Sequence, residues 1–386
     1  MDTSLSVGPL LAPDPGIAPD VPLVDLAHQH AEIALEIVEP LMAAMAGGRF
    51  TGGPEVIRFE SSFAAFSGRR QCVGVANGTD ALELILRAAG IGVGDDVLVP
   101  ANTFVATLGA VVRAGARPVL VDCDPVHHLI DAESLEDGFT LGTRAVVAVH
   151  LYGQMAPMEE LAAVAAERDV ELFEDAAQCQ GASRFGGGPG SWSRAAATSF
   201  DPGKNLGAYG DGGAVLTDDE VLAARVRALG NHGGVANYEH RIVGWNSRLD
   251  ALQAIVLSAK LRHLRAWNAE RATAARLYRE LLGGQARITL PAPLAGNEHV
   301  WHRYVVRVPD RDRVLPELQA AGIGAGVHYP VPVHLLPAYR GLGYGPGDFP
   351  NAEAAAGEIL SLPVYPGIRV DQVERVAEAL LRAVRS

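Results

Sequence analysis

Between residues 71 and 217 the chain alternates short apolar runs with segments of helical spacing, and this alternation constrains the fold more than any other feature. The runs at 72–76, 96–99, 118–122, 144–150, 170–173, 195–200 and 213–217 have the length and composition of strands. Helical patterns open between them near Thr79, Thr103, Met158 and Asp218. The spacing therefore predicts an α/β domain with a mostly parallel sheet. In such sheets ligands sit at the carboxyl ends of the strands, so chemistry is sought there.

One strand end stands out. The run 195–200 leads into Ser199-Phe200-Asp201-Pro202-Gly203-Lys204-Asn205-Leu206-Gly207, followed by a second glycine-rich stretch through Gly213. Lys204 is one of only two lysines among 32 basic residues; the other is Lys260. Arginine can replace lysine where only charge is needed, but it cannot form a Schiff base. A lysine kept in a glycine-rich loop, in a chain that otherwise uses arginine, points to amine chemistry. Lys260, in SAKLRHLRAW, reads as a solvated charge on a helix face.

Other strand ends carry complementary groups. Asn77-Gly78-Thr79-Asp80 joins the first strand to a helix and offers free amides, a hydroxyl and a favourable dipole end for a phosphate; it is equally an ordinary turn with an N-cap. Phe104, after the second strand, is either core packing or a platform for a flat ring. The strand at 170–173 runs into Glu174-Asp175, and Asp175 can hold a protonated heterocyclic nitrogen, cap a helix or bind Mg²⁺. Gln178 follows within reach of the same ligand, and Cys179 reads as a small buried apolar residue. A phosphate cup, an aromatic platform, a carboxylate, Ser199 and Lys204 are together the parts needed by a pyridine-aldehyde cofactor carrying a phosphate.

The flanks frame this domain. Residues 1–20 carry three acids, no base and several Pro and Gly, and read as a loose leader rather than a signal peptide. Residues 28–46 have helical spacing interrupted by Pro40, and 55–67 form a second helix with Phe59, Phe63 and Phe66 on one side. A polar glycine-rich loop at 230–244 reads as mobile and close to substrate. A long helix runs from Asn246 to about Leu282. The division expected is a large domain over 21–265 and a small one over 266–386. The small domain should contain a strand at 301–308 and helices at 313–321, 353–360 and 372–382. His328 and His334 flank two prolines without an acidic ligand nearby, so no metal site is expected.

Net charge −13 argues against nucleic acid or an anionic membrane as partner, and no apolar run approaches the ~20 residues of a membrane span. Three scattered cysteines suit a reducing cytoplasm. No P-loop and no G-x-S-x-G occur, and the glycines at 207–213 precede a strand instead of opening a helix, against a dinucleotide fold.

The motifs NGTDALELILRA, PANTFVAT, EDAAQ, SFDPGKNLGAYGDGGA and GWNSRLDALQA occur in this order, and with them the chain resembles the DegT/DnrJ/EryC1/StrS family from about Pro22 to near its C-terminus. The resemblance implies the aspartate-aminotransferase fold (fold type I), with a large mixed, mostly parallel sheet domain and a smaller C-terminal α+β domain. It implies pyridoxal 5'-phosphate, cycling with its pyridoxamine form, a homodimer with shared sites, and glutamate as amino donor to a nucleotide-linked keto sugar. By the same resemblance Lys204 is the Schiff-base lysine, Asp175 the partner of the ring nitrogen and Gln178 the neighbour of the phenolic oxygen. Gly78, Thr79 and Ser199 form the phosphate cup, Phe104 stacks on the ring, and Asn246 reaches the phosphate from the other subunit. His328 and Tyr329, in HYPVPVH, are implied to contact the sugar nucleotide. Asp201 departs from the aromatic or His common in relatives.

The expected reaction is amination of a dTDP-linked 3-keto-6-deoxyhexose for a deoxyaminosugar, with antibiotic-sugar biosynthesis suggested by the arginine-rich, alanine-rich composition. The alternatives are 4-amination, a C3 dehydratase, which the family associates with His in place of Lys204, and a catalytically silent regulatory protein on the same fold.

Overall fold

The computed structural model describes residues 19–385; the leader expected at 1–20 falls almost wholly outside them. Seven strands build one sheet: β1 (Gln71–Val75), β2 (Asp96–Pro100), β3 (Arg117–Val121), β4 (Thr143–Val149), β5 (Glu171–Asp175), β6 (Ala195–Ser199) and β7 (Gly213–Thr217). Their order is β1-β7-β6-β5-β4-β2-β3. Every pair from β6 through to β3 is parallel, and β7 runs antiparallel to both its neighbours, β6 and β1. The register sets Gly213 between Val75 and Ser199. A Cβ at Gly213 would collide with the Asn77 backbone, so glycine is what lets the strand lie against the turn that follows β1.

Successive strand residues serve opposite faces, as strand geometry requires. Val97, Val99, Ala145 and Val147 join one core with helices α3 (Gly78–Ala88), α4 (Val105–Ala114) and α7 (Glu220–Gly230). Leu98, Val146, Ala148 and Ala196 join the other, under α2 (Pro54–Ser67), α5 (Ala132–Gly138), α6 (Met158–Glu167) and the first half of α8 (Ala251–Leu282). Phe59 and Phe63 of α2 each meet the ring of Phe200 edge-on with centroids 5.3 Å apart, which braces the chain just before Lys204.

The N-terminal helix α1 (Leu26–Ala46) is continuous through Pro40, where an interruption was expected. Pro40 lies on the solvent face while Ile33, Ile37 and Ala44 are buried, so water can satisfy the carbonyl that the proline leaves unpaired. The second half of α8 enters a separate core with Tyr278 and Leu282. There a two-stranded sheet, β8 (Tyr304–Arg307) and β9 (Ile359–Leu362), packs with α9 (Arg311–Ala320) and α11 (Val370–Arg385). Residues 359–360, expected to end a helix, belong instead to β9. The helix there, α10 (Pro350–Glu358), stops at Ile359, whose backbone is extended. The strand expected at 301–308 shortens to β8, because Trp301 adopts φ 50°. The 230–244 loop contains a short antiparallel pair, Gly234–Ala236 with Glu239–His240.

Candidate active site

A cleft of about 290 Å³ opens at the carboxyl ends of β1, β5 and β6. Its walls include Gly78, Thr79, Phe104, Asp175, Gln178, Ser199, Lys204 and Tyr329, which the sequence reading scattered over 250 positions and more (78 to 329).

The carboxylate comes from the last residue of β5. Thr107 donates its hydroxyl to Asp175 Oδ2 at 2.8 Å, and the Ala177 amide donates to Oδ1 at 3.2 Å. Thr103 lies one helical turn earlier and its hydroxyl is 2.8 Å from that of Thr107. Thr107 was not singled out from sequence. The signal was its position four residues after Thr103 at the start of a helix that faces a strand-end carboxylate. Gln178 is held by its oxygen, which accepts from the Tyr152 amide at 2.8 Å; its amide nitrogen is 3.2 Å from the Tyr329 hydroxyl and faces the cleft. Its donor side is thereby fixed.

At the other end Asn77 caps α3, accepting from the Asp80 amide at 2.8 Å. The amides of Gly78 and Thr79 donate to nothing among the described residues. Ser199 lies against them: a Cβ on Gly78 would stand 2.7 Å from the Ser199 Cβ. Free helix-end amides, a helix dipole and a hydroxyl converge there, which suits a phosphate. Phe104 stays 46% exposed, with its ring centroid 5.1 Å from that of Tyr329.

Lys204 sits in a loop pinned at several points. Its own amide donates to Asp201 O, Ala208 N donates to Phe200 O, and Asn205 donates to Asn268 Oδ1 and Val300 O, each at 2.8–2.9 Å. The His302 Nδ1 is 3.1 Å from Asn205 Oδ1. Burial pushes the Lys204 amine below the ordinary lysine value; Asp175 and Asp201 pull the other way, and Arg303 adds to the lowering. Lys260 is not the solvated charge expected. It is 2% exposed and donates to Gly207 O at 2.7 Å, because its helix face packs on the lysine loop instead of facing water.

Two residues expected near substrate fall differently. Tyr329 lines the cleft, whereas the His328 ring turns to Ser361 Oγ at 2.8 Å and its carbonyl accepts from the Tyr152 hydroxyl at 2.6 Å. Burial, with Arg303 and Lys204 nearby, pushes His328 down to about 3, so it is neutral. His334 meets Glu353 Oε1 at 3.0 Å. Asn246 is exposed, pairs with Asn231 in a backbone bridge and is not on the wall of the cleft. His150, which sequence reasoning passed over, does line it; its Nδ1 accepts from Ala156 N, which leaves Nε2 to donate to the buried Glu174 at 2.7 Å.

These groups match a phosphate-bearing pyridine aldehyde in kind: unpartnered amides for the phosphate, a carboxylate for the ring nitrogen, an amide donor for the phenolic oxygen and a desolvated amine for the aldehyde.

Comparison with known proteins agrees. Residues 31–381 match the DegT/DnrJ/EryC1/StrS aminotransferase family. The chain is 46% identical to the erythromycin biosynthesis sensory transduction protein EryC1 of Saccharopolyspora erythraea, over 94% of this chain and 99% of that one. It is 43% identical to a dTDP-3-amino-3,4,6-trideoxy-alpha-D-glucose transaminase of Streptomyces venezuelae, over 94% and 96%. Among solved structures, S. venezuelae DesV in complex with a ketimine intermediate superposes with TM-score 0.93 at 42% identity, covering 96% of this chain and 100% of that one. The ntda protein of Bacillus subtilis, solved with bound cofactor PMP, gives TM-score 0.86 at 30% identity, covering 92% and 82%. The chain belongs to the DegT/DnrJ/EryC1/StrS aminotransferase family and is a pyridoxal-phosphate-dependent transaminase with the fold-type-I architecture.

Proposed function

We propose that this transaminase takes an amino group from glutamate and delivers it to C3 of a dTDP-linked 3-keto-6-deoxyhexose, in the making of a deoxyaminosugar. The observation that carries the reading is the convergence of Lys204, Asp175 and Gln178 in one cleft beside the unpartnered amides of Gly78 and Thr79. Amination at C3 is favoured by the relative whose printed name is a dTDP-3-amino sugar transaminase.

Bound in this cleft, pyridoxal phosphate supplies an electron sink for the carbon that gains or loses the amine. The protein's part is to hold and to move protons. Gly78, Thr79 and Ser199 hold the phosphate, and Phe104 packs on the ring. Asp175, oriented by Thr107, keeps a proton on the ring nitrogen, and Gln178 donates to the phenolic oxygen. The amine of Lys204, its pKa lowered by burial, accepts and returns a proton at the reacting carbon. Tyr329 meets the sugar nucleotide at the cleft wall, with His328 behind it. Asn246 of the partner subunit completes the phosphate site in a homodimer.

A regulatory reading is favoured by the printed name of the EryC1 relative. It leaves the desolvated lysine and the oriented aspartate without a use. The dehydratase reading conflicts with the lysine at position 204.

The test is to incubate cofactor-loaded protein with ¹⁵N-glutamate and, separately, the 3-keto and 4-keto dTDP-6-deoxyhexoses, locating the label by NMR. Label at C3 of the first substrate is expected. Label only at C4 of the second transfers the assignment to 4-amination, and no label in either sugar rejects the reading.

A further inference from the structure

The β5–β6 ladder ends just where the cleft opens. Its last pair is Asp175 with Ala197, and the last bond across runs from Ala176 N to Ala197 O at 2.7 Å. Carbonyls two residues apart on a strand point to the same side, so Ser199 O also faces the β5 edge. By then the chain has left β5 for a turn, and the donor that Ser199 O meets is a side chain. Gln180 Nε2 lies 2.7 Å from Ser199 O, 3.0 Å from Thr198 Oγ1 and 3.2 Å from Ala177 O. Turning the amide over would set its oxygen against the carbonyls of Ser199 and Ala177, so the nitrogen belongs there.

Gln180 does this from outside the cleft. It is 3% exposed and, with Ala176 and Thr198, lines a second cavity, of about 360 Å³, whereas Ala177, Gln178 and Ser199 line the cleft. Its Oε1 is buried without a partner among the described residues. A buried acceptor left without a donor is costly, and a methionine would fill the same length without that cost. The side chain therefore serves as a donor rather than as packing. Its backbone is tied in as well. Gln180 O accepts from Asn268 Nδ2 at 3.0 Å, and Asn268 Oδ1 accepts from Asn205, the residue after Lys204, at 2.9 Å.

Ser199 is where the loss of this donor would be felt. It stands so close to the turn opening α3 that a Cβ on Gly78 would be 2.7 Å from the Ser199 Cβ. A carbonyl released from Gln180 lets the end of β6 tilt, and the Ser199 hydroxyl then leaves its place beside the Gly78 and Thr79 amides. Recognition of a phosphate by converging donors depends on such placement.

We propose that Gln180 is a positioning residue for the cofactor phosphate, acting through the Ser199 carbonyl. The proposal rests on the reading of Gly78, Thr79 and Ser199 as the phosphate site.

The test separates the phosphate from the rest of the cofactor. Full-length wild type, Gln180→Met, Gln180→Asn and Ser199→Ala, freed of cofactor, are titrated with pyridoxal 5'-phosphate and with pyridoxal, each followed by the Lys204-dependent visible band. The ratio of the two dissociation constants measures what the phosphate contributes. Gln180→Met is expected to lower that ratio roughly tenfold by weakening pyridoxal phosphate alone. Gln180→Asn, which keeps the amide one methylene short, should fall between, and it serves as the test if the Met variant does not fold. Ser199→Ala should lower the ratio as well. Unchanged binding of both ligands by Gln180→Met overturns the proposal. Equal weakening of both also overturns it, because that marks a residue supporting the fold at large. A ratio unmoved by Ser199→Ala, in a wild type that does prefer the phosphate, takes Ser199 out of the phosphate site and the proposal with it. A wild type that binds pyridoxal as tightly as pyridoxal phosphate removes the phosphate-site reading itself, and this proposal falls with that reading.

Discussion

Thr107 and Asp175 act as one unit at the residue scale. The carboxylate proposed to hold a proton on a ring nitrogen needs a fixed orientation, and the 2.8 Å bond from Thr107 provides it. Thr107→Val keeps the shape and removes the donor, so kcat should fall roughly tenfold, the equivalent of one charged hydrogen bond. Asp175→Asn, which removes the charge itself, should fall much further; equal effects in steady-state assays would deny Thr107 its positioning role. Asp175 and Lys204 were legible because residue chemistry and strand-end position coincide there. Thr107 was not, because a threonine in a helix is ordinary until its partner is seen. Lys260 was misread for the same reason: its helix is amphipathic in sequence, and only packing shows that this face meets Gly207.

At the scale of elements, α8 fixes the lysine loop. Lys260 donates to Gly207 O at 2.7 Å, Gln253 accepts from Tyr209 N at 2.8 Å and Asn268 accepts from Asn205 at 2.9 Å. Burial lowers Lys260 to about 8 from an ordinary 10.5. A lysine with a lowered folded-state pKa binds fewer protons folded than unfolded between those two values, so stability rises with pH across that window. Chemical denaturation of wild type and Lys260→Met from pH 7.5 to 10.5 should show wild type gaining relative to the variant as pH rises; parallel curves would mean an unperturbed amine. Strand β7 makes a second claim. Gly213→Ala would drive a methyl into the Asn77 backbone, costing about 1–3 kcal/mol and loosening the proposed phosphate site, read as a lower unfolding midpoint and weaker cofactor binding. Wild-type values for both would show that the turn yields freely. The strands of the sheet were legible because parallel buried strands are continuous apolar runs. The end of α10 was not, since an apolar run at 359–362 fits helix or strand equally until β8 is beside it.

The whole molecule raises the question of who completes the site. Asn246 is exposed and outside the cleft of its own chain, in keeping with the proposed service to a partner's phosphate site. Mixing Lys204→Ala with Asn246→Asp subunits, each inactive alone, should then restore roughly a quarter of the wild-type sites, because half of the random dimers carry one intact site in two. No recovery on mixing would place Asn246 in its own chain's site or outside the chemistry. The proposed division into units 21–265 and 266–386 cuts through α8, which runs unbroken from Ala251 to Leu282 and joins two cores. A sequence can show the long helix but not which of its turns changes core, because that is decided by distant partners such as Tyr304 and Val306. The most direct test of the central claim is the visible absorption spectrum of the protein with pyridoxal phosphate, wild type beside Lys204→Ala, before and after glutamate. The account predicts a visible band in wild type alone that glutamate bleaches. A band that persists in Lys204→Ala, or no band in wild type, would contradict it.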